Sequence, residues 1–181
     1  DRTSPYQFYQ YWVNVDDEDA GKCLRFLTEL PKDEIESLDA AREADASKRE
    51  SQVCLATELT RLVHGDEGLR TAEQAKQIFF GGGSLTDLAA GDVERVFADV
   101  PSCEVQRSQF GSGYGVVDAF VDSSLCKSKG EARRTIKEGG AYVNDERITD
   151  ENQQLTSDHL ATDSVVVLRR GKRKYALVRL I

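Results

Sequence analysis

The spacing of apolar residues changes near residue 100, and this change limits the folds open to the chain. Before it, apolar side chains recur every three or four residues, as at Leu55, Leu59, Leu62 and Val63, which is typical of amphipathic helices. After it, the closing stretch SVVVLRRGKRKYALVRLI places two apolar runs on either side of a turn, the pattern of a β-hairpin. The sequence therefore predicts an α+β fold class, with an all-α region followed by a small α+β region.

Turn and cap residues divide the chain into three predicted parts. In the first, Ser4 and Pro5 suit the start of a helix, Pro31 suits another, and Gly65 suits a helix end. The stretch DVPSCEVQRSQFGSGYG is rich in Pro, Gly and Ser, as loops are. We predict a helical domain over 1–100, a linker over 101–112 and an α+β domain over 113–181.

The last part has strong local signals. Ser128 and Glu131 have the spacing of a helix-capping box, and Gly139 follows as a helix end. The stretch AYVNDERI predicts a hairpin that turns at Asn144-Asp145. Two further strands are predicted near 164–169 and 174–180, so this part combines helices with antiparallel strands.

Charge is divided unevenly along the chain. The formal net charge is −8, but residues 1–106 carry 11 Lys and Arg against 22 Asp and Glu. Residues 107–181 carry 13 against 10, a small positive excess. Such asymmetry predicts different partners for the two parts.

The predicted helix SKGEARRTIKEGG carries a line of cations. Lys129, Arg133 and Lys137 are four residues apart and share one face, and Arg134 adds a further cation. Without anions this face is unfavourable, because like charges at that spacing repel. A nucleic-acid backbone would turn the repulsion into phosphate contacts, although a solvated helix face remains the alternative.

Several classes of function find no support. Cys126 and His64 have no partner in the pattern of a catalytic pair, so we predict no catalytic residue. Four dispersed cysteines and two distant histidines predict no metal site and suit a reducing cytosol, so we expect a cytoplasmic protein. No apolar run approaches the ~20 residues that span a membrane. The chain contains no Met, and we therefore expect a fragment of a longer protein.

Two groups of motifs resemble a known family. SKGEARRTIKEGGAYVNDERI resembles an S4 domain, a small RNA-binding module, with the likeness extending over about 113–181. TSPYQFYQYWVNVDDEDAGKCLRFLTEL, KRESQVCLATELTRLVHG and FADVPS are similar, in wording and order, to the bacterial tyrosyl-tRNA synthetases. The resemblance covers nearly the whole chain and indicates the C-terminal part of such an enzyme.

The resemblance implies two RNA contacts. In the loop NVDDED, Asp16, or Asp17 next to it, would accept hydrogen bonds from the first anticodon base, whose guanine edge offers N–H donors. A helix N-cap is the alternative role for this carboxylate. The S4-like part would grip the anticodon stem and the variable arm of the tRNA. The residues expected to bind RNA are Lys127, Lys129, Arg133, Arg134, Lys137, Asn144, Arg169, Arg170, Lys172, Arg173 and Lys174.

The resemblance also implies what the whole enzyme does. A tyrosine–tRNA ligase uses ATP and tyrosine to charge its tRNA, and its active site and homodimer interface would lie in a catalytic domain outside this chain. We expect the chain itself to have no cofactor, to be inactive and monomeric, and to have tyrosine tRNA as its partner.

Two departures and two alternatives accompany the resemblance. Gly130 stands where many relatives have a basic residue, and Asp145 replaces the usual glycine of the V-N-G turn. Asp145 is a poorer residue at positive φ and adds a negative charge. The alternatives are another S4-bearing RNA-binding protein and a helical protein-interaction adaptor; the first lacks the helical motifs, and the second would not need the basic hairpin.

Overall fold

The structure, a computed structural model, describes residues 3–81 and 83–181 and forms two compact units. The helical unit ends at Ala75, and the C-terminal unit runs from Lys76 to Ile181. Helices make up the first unit, while helices and a mixed sheet of five strands make up the second. The predicted α+β class is therefore confirmed.

The regular elements have the following bounds. The α-helices are α1 Pro5–Val13, α2 Asp17–Leu27, α3 Lys32–Ala44, α4 Glu50–Lys76, α5 Ala90–Val96, α6 Arg107–Gly111, α7 Val116–Asp122 and α8 Lys129–Lys137. The strands are β1 Ser102–Val105, β2 Tyr114–Gly115, β3 Ala141–Val143, β4 Glu146–Arg147, β5 Gln154–Leu155, β6 Val165–Arg170 and β7 Lys174–Leu180.

Helix ends in the helical unit follow the predicted signals. The Ser4 Oγ accepts a hydrogen bond of 3.1 Å from the Gln7 backbone N–H, and Pro5 is the first helical residue. Helix α4 bends at Gly65, whose φ of 70° lies in the left-handed region. Gly65 thus interrupts the helix as predicted, and the chain enters another helical segment directly after it.

The core of the helical unit is built by α2, α3 and α4. Leu24, Ile35, Leu55 and Leu59 form one buried cluster, against which Phe8 and Trp12 pack among other side chains. The stripe predicted through Leu62 and Val63 is shorter than expected, because these two side chains are 75% and 56% exposed. The buried face of α4 in this stretch ends at Leu59 and Thr60.

The C-terminal unit is organised around the β6–β7 hairpin. The order of the large sheet is β1-β7-β6-β3-β4, with β1 parallel to β7 and the other neighbours antiparallel. Strands β2 and β5 form a separate small antiparallel pair. The hairpins predicted at Asn144-Asp145 and at the end of the chain are both present.

The hairpin is buried on both faces. Residues 165–168 and 175–178 are all buried, which requires a layer on each side of the sheet. One face belongs to the core that includes Phe120 of α7 and Ile136 of α8. On the other face the Tyr175 ring lies 5.2 Å and 5.4 Å, centroid to centroid, from the rings of Phe79 and Phe97.

These contacts explain why the compact units differ from the predicted boundaries at 100 and 112. Residues 76–100 supply one covering layer of the sheet, so they belong to the C-terminal unit. Residues 101–112 contain β1, paired with β7, and helix α6. A four-residue strand is too short to show a period, and its parallel partner lies at the far end of the chain.

Gly139 and Arg147 join α8 to the strands that follow it. Gly139 lies just after the C-terminal end of α8, as predicted, and has a φ of 73°. Its carbonyl accepts a 2.9 Å hydrogen bond from Arg147 Nε. A Cβ on Gly139 would collide with the Arg147 guanidinium. At the next turn Asn144 and Asp145 have φ values of 47° and 67°, both positive as in a type I′ hairpin turn.

The described residues contain neither a membrane-spanning helix nor a metal-binding cluster. No helix there is both long enough and apolar enough to cross a membrane. No group of three or more His, Cys, Asp or Glu side chains there is arranged to hold a metal ion.

We predict that Gly139→Ala destabilises the C-terminal unit by about 2 kcal/mol, since a left-handed alanine costs roughly 1–2 kcal/mol and Arg147 must also move. Urea unfolding followed by the amide signals of β3 and β6 measures the change. Gly111→Ala is the control, because a Cβ there meets nothing within 4 Å. Equal stability of the two variants would contradict this account of Gly139.

Candidate nucleic-acid interface

The tip of the β6–β7 hairpin gathers five cations, but the structure sorts them into two groups. Lys172, Arg173 and Lys174 are exposed at the turn. Gly171 opens the turn with φ 63°, a value that favours glycine. The remaining two, at the end of β6, are turned toward the protein.

Arg169 and Arg170 are held by internal contacts. The Arg169 guanidinium lies 3.8 Å above the Tyr142 ring centroid, and its Nη1 donates to the Gly171 carbonyl at 2.8 Å. Arg170 donates from Nη1 to the Leu125 carbonyl at 2.8 Å, and its Nη2 lies 2.8 Å from the Glu131 carboxylate. These arginines support the fold, so their removal would disturb the protein as well as any RNA contact.

Helix α8 presents the predicted line of cations, and the protein supplies carboxylates beside it. Lys129 Nζ lies 2.5 Å from Asp118, while Arg133 Nε lies 4.0 Å from Glu151 and Arg134 Nε lies 3.9 Å from Glu138. All these side chains are largely exposed, so each pair is weak. The like-charge repulsion expected for an isolated helix face is therefore partly relieved within the protein.

Two further lysines, one just before α8 and one at its end, are exposed. Lys137 lies at the end of α8, and no carboxylate of the described residues is within ion-pair distance of it. Lys127 precedes α8, where its backbone N–H donates to Glu131 Oε2 at 2.7 Å. The Ser128 Oγ accepts from the Glu131 N–H at 3.2 Å, so the predicted N-terminal cap is present, with Lys127 as the donor to the Glu131 carboxylate.

Arg147 is a cation of this region that the sequence did not single out. With Arg133 and Lys137 it lines a cleft of about 560 Å³ beside the end of α8. Its Nε is fixed by the Gly139 carbonyl, as described above. The signal in the sequence is its place two residues after the Asn144-Asp145 turn, and in the structure it pairs with Tyr142 across the hairpin.

Asn144 has a structural role in the turn. Its Oδ1 accepts a 2.9 Å hydrogen bond from the Val167 N–H, and its Nδ2 donates to the His159 carbonyl at 2.6 Å. The side-chain amide thus ties the turn to β6 and to the 157–159 helical turn. A contact between Asn144 and RNA stays a prediction, and the surrounding bonds favour structure as its main task.

In the helical unit, the two predicted carboxylates differ. Asp16 is exposed at the N-cap position of α2, yet its side chain makes no capping hydrogen bond. The Asp17 Oδ1 accepts a hydrogen bond from the buried amide of Gln52, which joins α2 to α4. Asp16 is therefore the carboxylate of this pair that can accept bonds from a ligand without giving up a contact of the fold.

Comparison with known families places both units in one class of protein. The family described as tRNA synthetases class I (W and Y) matches residues 1–81. The family described as the tyrosine–tRNA ligase SYY-like C-terminal domain matches residues 92–178. Together the matches cover both units of the chain, and the class is that of the class I aminoacyl-tRNA synthetases.

Individual relatives show which family within this class the chain resembles. The chain is 49% identical over 181 residues to the tyrosine–tRNA ligase of Rhodopirellula baltica, and 45% identical over 178 residues to tyrosine–tRNA ligase 1 of Bacillus subtilis. These alignments cover 99% and 98% of this chain but 41% of each relative. The chain belongs to the tyrosyl-tRNA synthetase family and corresponds to its C-terminal part, as the sequence motifs predicted.

A solved structure of a tyrosyl-tRNA synthetase C-terminal domain is also similar in sequence. It is 36% identical, and the match covers 55% of this chain and 96% of that domain, with a TM-score of 0.43.

The Glu131 carboxylate generates a prediction about pH. The Lys127 backbone N–H and the Arg170 guanidinium hold its pKa below the ordinary value of 4.5. A group whose pKa is lower in the folded state than in the unfolded state stabilises the protein at any pH above its unfolded-state pKa. This stabilisation is lost as the pH falls through the folded-state pKa. We expect Glu131→Gln to destabilise the C-terminal unit at pH 7, and the difference from the native chain to shrink below about pH 4.

Urea unfolding at pH 7 and pH 3 measures this effect. Glu146→Gln, at an exposed position of β4, is the control and is expected to change stability little at either pH. A difference for Glu131→Gln that is as large at pH 3 as at pH 7 would contradict the role given to the ion pair.

Proposed function

We propose that this chain is the tRNA-recognition region of a tyrosine–tRNA ligase. One observation carries the proposal: exposed cations at the hairpin tip and along α8 lie in a chain that belongs to the tyrosyl-tRNA synthetase family. The curated relatives that the chain matches are tyrosine–tRNA ligases, and the partner of such an enzyme is its tRNA.

The C-terminal unit would bind the tRNA backbone. Lys172, Arg173 and Lys174 project from one turn, and the α8 cations provide a second line. Binding would exchange the weak contacts of Lys129 and Arg133 with nearby carboxylates for contacts with phosphates, and would release counterions from the RNA. In this proposal the surface grips the anticodon stem and the variable arm, with Arg169 and Arg170 holding it in shape.

The helical unit would read the anticodon through Asp16. A carboxylate accepts two N–H donors in the plane of a guanine Watson–Crick edge, a contact that other bases reproduce poorly. The exposed position and unused oxygens of Asp16 support this role. Asp17 would act beside it by keeping α2 in place through Gln52.

The chemical steps would belong to the rest of the enzyme. The chain spans about two-fifths of the length of the curated relatives it matches. Activation of tyrosine by ATP, transfer to the tRNA and formation of a homodimer would then require a catalytic domain, while these 181 residues would act as a monomeric tRNA-binding region. A cytoplasmic location suits this role.

The alternatives have less support. Another S4-bearing RNA-binding protein does not account for the class I synthetase match over residues 1–81. A helical adaptor does not account for the exposed cations of the C-terminal unit, and it would bind its partner equally well without them.

We predict that Lys172→Ala weakens binding of tyrosine tRNA by about 3- to 10-fold near 150 mM salt and lowers the salt dependence by about one unit, because one phosphate contact is lost. Filter binding at several salt concentrations measures both quantities. Lys172 is the chosen site since, unlike Arg170, it supports no other element.

Arg107→Ala is the matched control. Arg107 lies at the opposite end of the β6–β7 hairpin, where it contacts the Asp163 and Ile181 carbonyls. The control variant should bind as the native chain does. Equal losses for the two variants would reject binding by the hairpin tip. Equal affinity of the native chain for tyrosine tRNA and an unrelated tRNA near ~150 mM salt would count against specific recognition.

We predict that Asp16→Ala removes selectivity for guanine at the first anticodon position. The native chain should prefer the guanine transcript to one with adenine there by about 5- to 100-fold, the value of one good carboxylate–base contact. Asp33→Ala, an exposed first-turn carboxylate of α3, is the control. An unchanged preference in Asp16→Ala would show that the base is read elsewhere.

We also predict that these 181 residues alone catalyse no tyrosine-dependent exchange of pyrophosphate into ATP. A full-length tyrosine–tRNA ligase serves as the positive control. Exchange above background by the purified chain would overturn the division of labour proposed here.

A further inference from the structure

The segment between α4 and α5 is anchored to the β6–β7 hairpin at its N-terminal end, at Ile78 and Phe79. The Tyr175 hydroxyl donates a 3.3 Å hydrogen bond to the Ile78 carbonyl. The Phe79 ring packs against Tyr175 and against Phe97, whose centroid is 5.5 Å away. Residues 78 and 79 are thus fixed to the sheet by an aromatic cluster.

Asp145 anchors the same segment at its second end. The Asp145 Oδ2 accepts hydrogen bonds from the Leu85 N–H at 2.8 Å and from the Ser84 Oγ at 3.4 Å. Its Oδ1 lies 3.4 Å from Arg169 Nε, an ionic contact. The carboxylate that replaces the usual turn glycine therefore has a use that glycine cannot supply, although its φ of 67° is unfavourable.

Between the two anchors, Phe80 faces a cleft. Its side chain is 55% exposed, whereas its neighbour Phe79 belongs to the aromatic cluster. The cleft has a volume of about 550 Å³ and includes Lys172 and Arg173 of the hairpin tip in its lining. The Arg173 guanidinium carbon lies 5.1 Å from the Phe80 ring centroid. We call this space the Phe80 cleft.

An exposed aromatic ring beside cations that have no carboxylate partner is a combination that binds single-stranded nucleic acid. Bases stack on aromatic faces, while Lys and Arg neutralise the phosphate that follows the base. Neither Lys172 nor Arg173 has an ion pair with any carboxylate in the parts of the chain that the structure describes. The Asp145 charge does not oppose a phosphate strongly, because it is already neutralised by Arg169 and two donors.

We propose that the Phe80 cleft binds an unpaired nucleotide of the tRNA, with the base stacked on Phe80 and its phosphate held by Lys172 and Arg173. The inference rests on the proposed function. It adds a binding site for one unpaired nucleotide to a surface that otherwise suits the phosphate backbone of an RNA duplex. On binding, the Arg173 guanidinium moves from the Phe80 ring to the phosphate.

The test compares Phe80→Leu with Phe80→Trp. Leucine keeps apolar bulk at the mouth of the cleft but removes the aromatic face, while tryptophan keeps a face for stacking. We expect Phe80→Leu to weaken binding of tyrosine tRNA by about 5- to 100-fold with an unchanged salt slope, since stacking carries no charge. Phe80→Trp should bind as tightly as the native chain.

Two controls make the result specific. Phe26→Leu changes a phenylalanine of the helical unit that is 84% exposed, and it should not alter binding. A single-stranded RNA decamer should lose affinity with Phe80→Leu, and a blunt RNA duplex of the same length should not. Unchanged thermal unfolding of Phe80→Leu shows that the cleft variant is folded.

The outcomes separate this proposal from the proposed function. If the native chain binds no tRNA, the proposed function fails. If it binds tRNA and Phe80→Leu binds equally well, the nucleotide site alone is wrong. Weaker binding in both Phe80→Leu and Phe80→Trp would also overturn the stacking role, because only the shape of phenylalanine would then matter.

Discussion

The β6–β7 hairpin is the constraint on which the C-terminal unit depends. Its two strands carry apolar side chains on both faces, and burying them requires a layer of protein on each side. Helices α7 and α8 supply one layer, and the segment that includes Phe79 and Phe97 supplies the other. Once both faces are covered, the turn at Gly171 is the part of the hairpin left to meet a ligand.

The division of charge follows from the same arrangement. Arg169 and Arg170 lie where the strands end, and they satisfy carbonyls and carboxylates of the protein. The next three cations lie beyond the covered part of the sheet and remain in solvent. Carboxylates beside α8 partly balance the charges of Lys129 and Arg133 in the free protein, so phosphates must compete with them. Such competition favours a partner that makes several contacts at once over one that makes few.

Local signals predicted the local structure well. Ser4, Ser128 and Gly139 act at helix ends as the sequence indicated, Gly65 interrupts α4, and Asn144-Asp145 forms the expected turn. These features depend on a few adjacent residues, whose conformational preferences are strong. The line of cations on α8 was equally readable, because it depends only on helical spacing.

Long-range packing was less accessible from the sequence. Strand β1 forms because β7 offers it a free edge, and nothing in the four residues 102–105 alone specifies that pairing. The role of Phe80 depends on anchors from Tyr175 and Asp145, which are distant in the chain. A physical clue was present: a run such as VVVL, apolar without alternation, requires cover on both sides, and residues before 100 were available to provide it.

The most direct test of the account is a footprint of labelled tyrosine tRNA with the whole 181-residue chain. We predict protection of the anticodon by the helical unit, and protection of the anticodon stem and variable arm that disappears when Lys172, Arg173 and Lys174 are replaced together by alanine. Anticodon protection should persist in that triple variant. Protection that is spread evenly along the tRNA, or that is unchanged in the triple variant, would contradict recognition by these two surfaces.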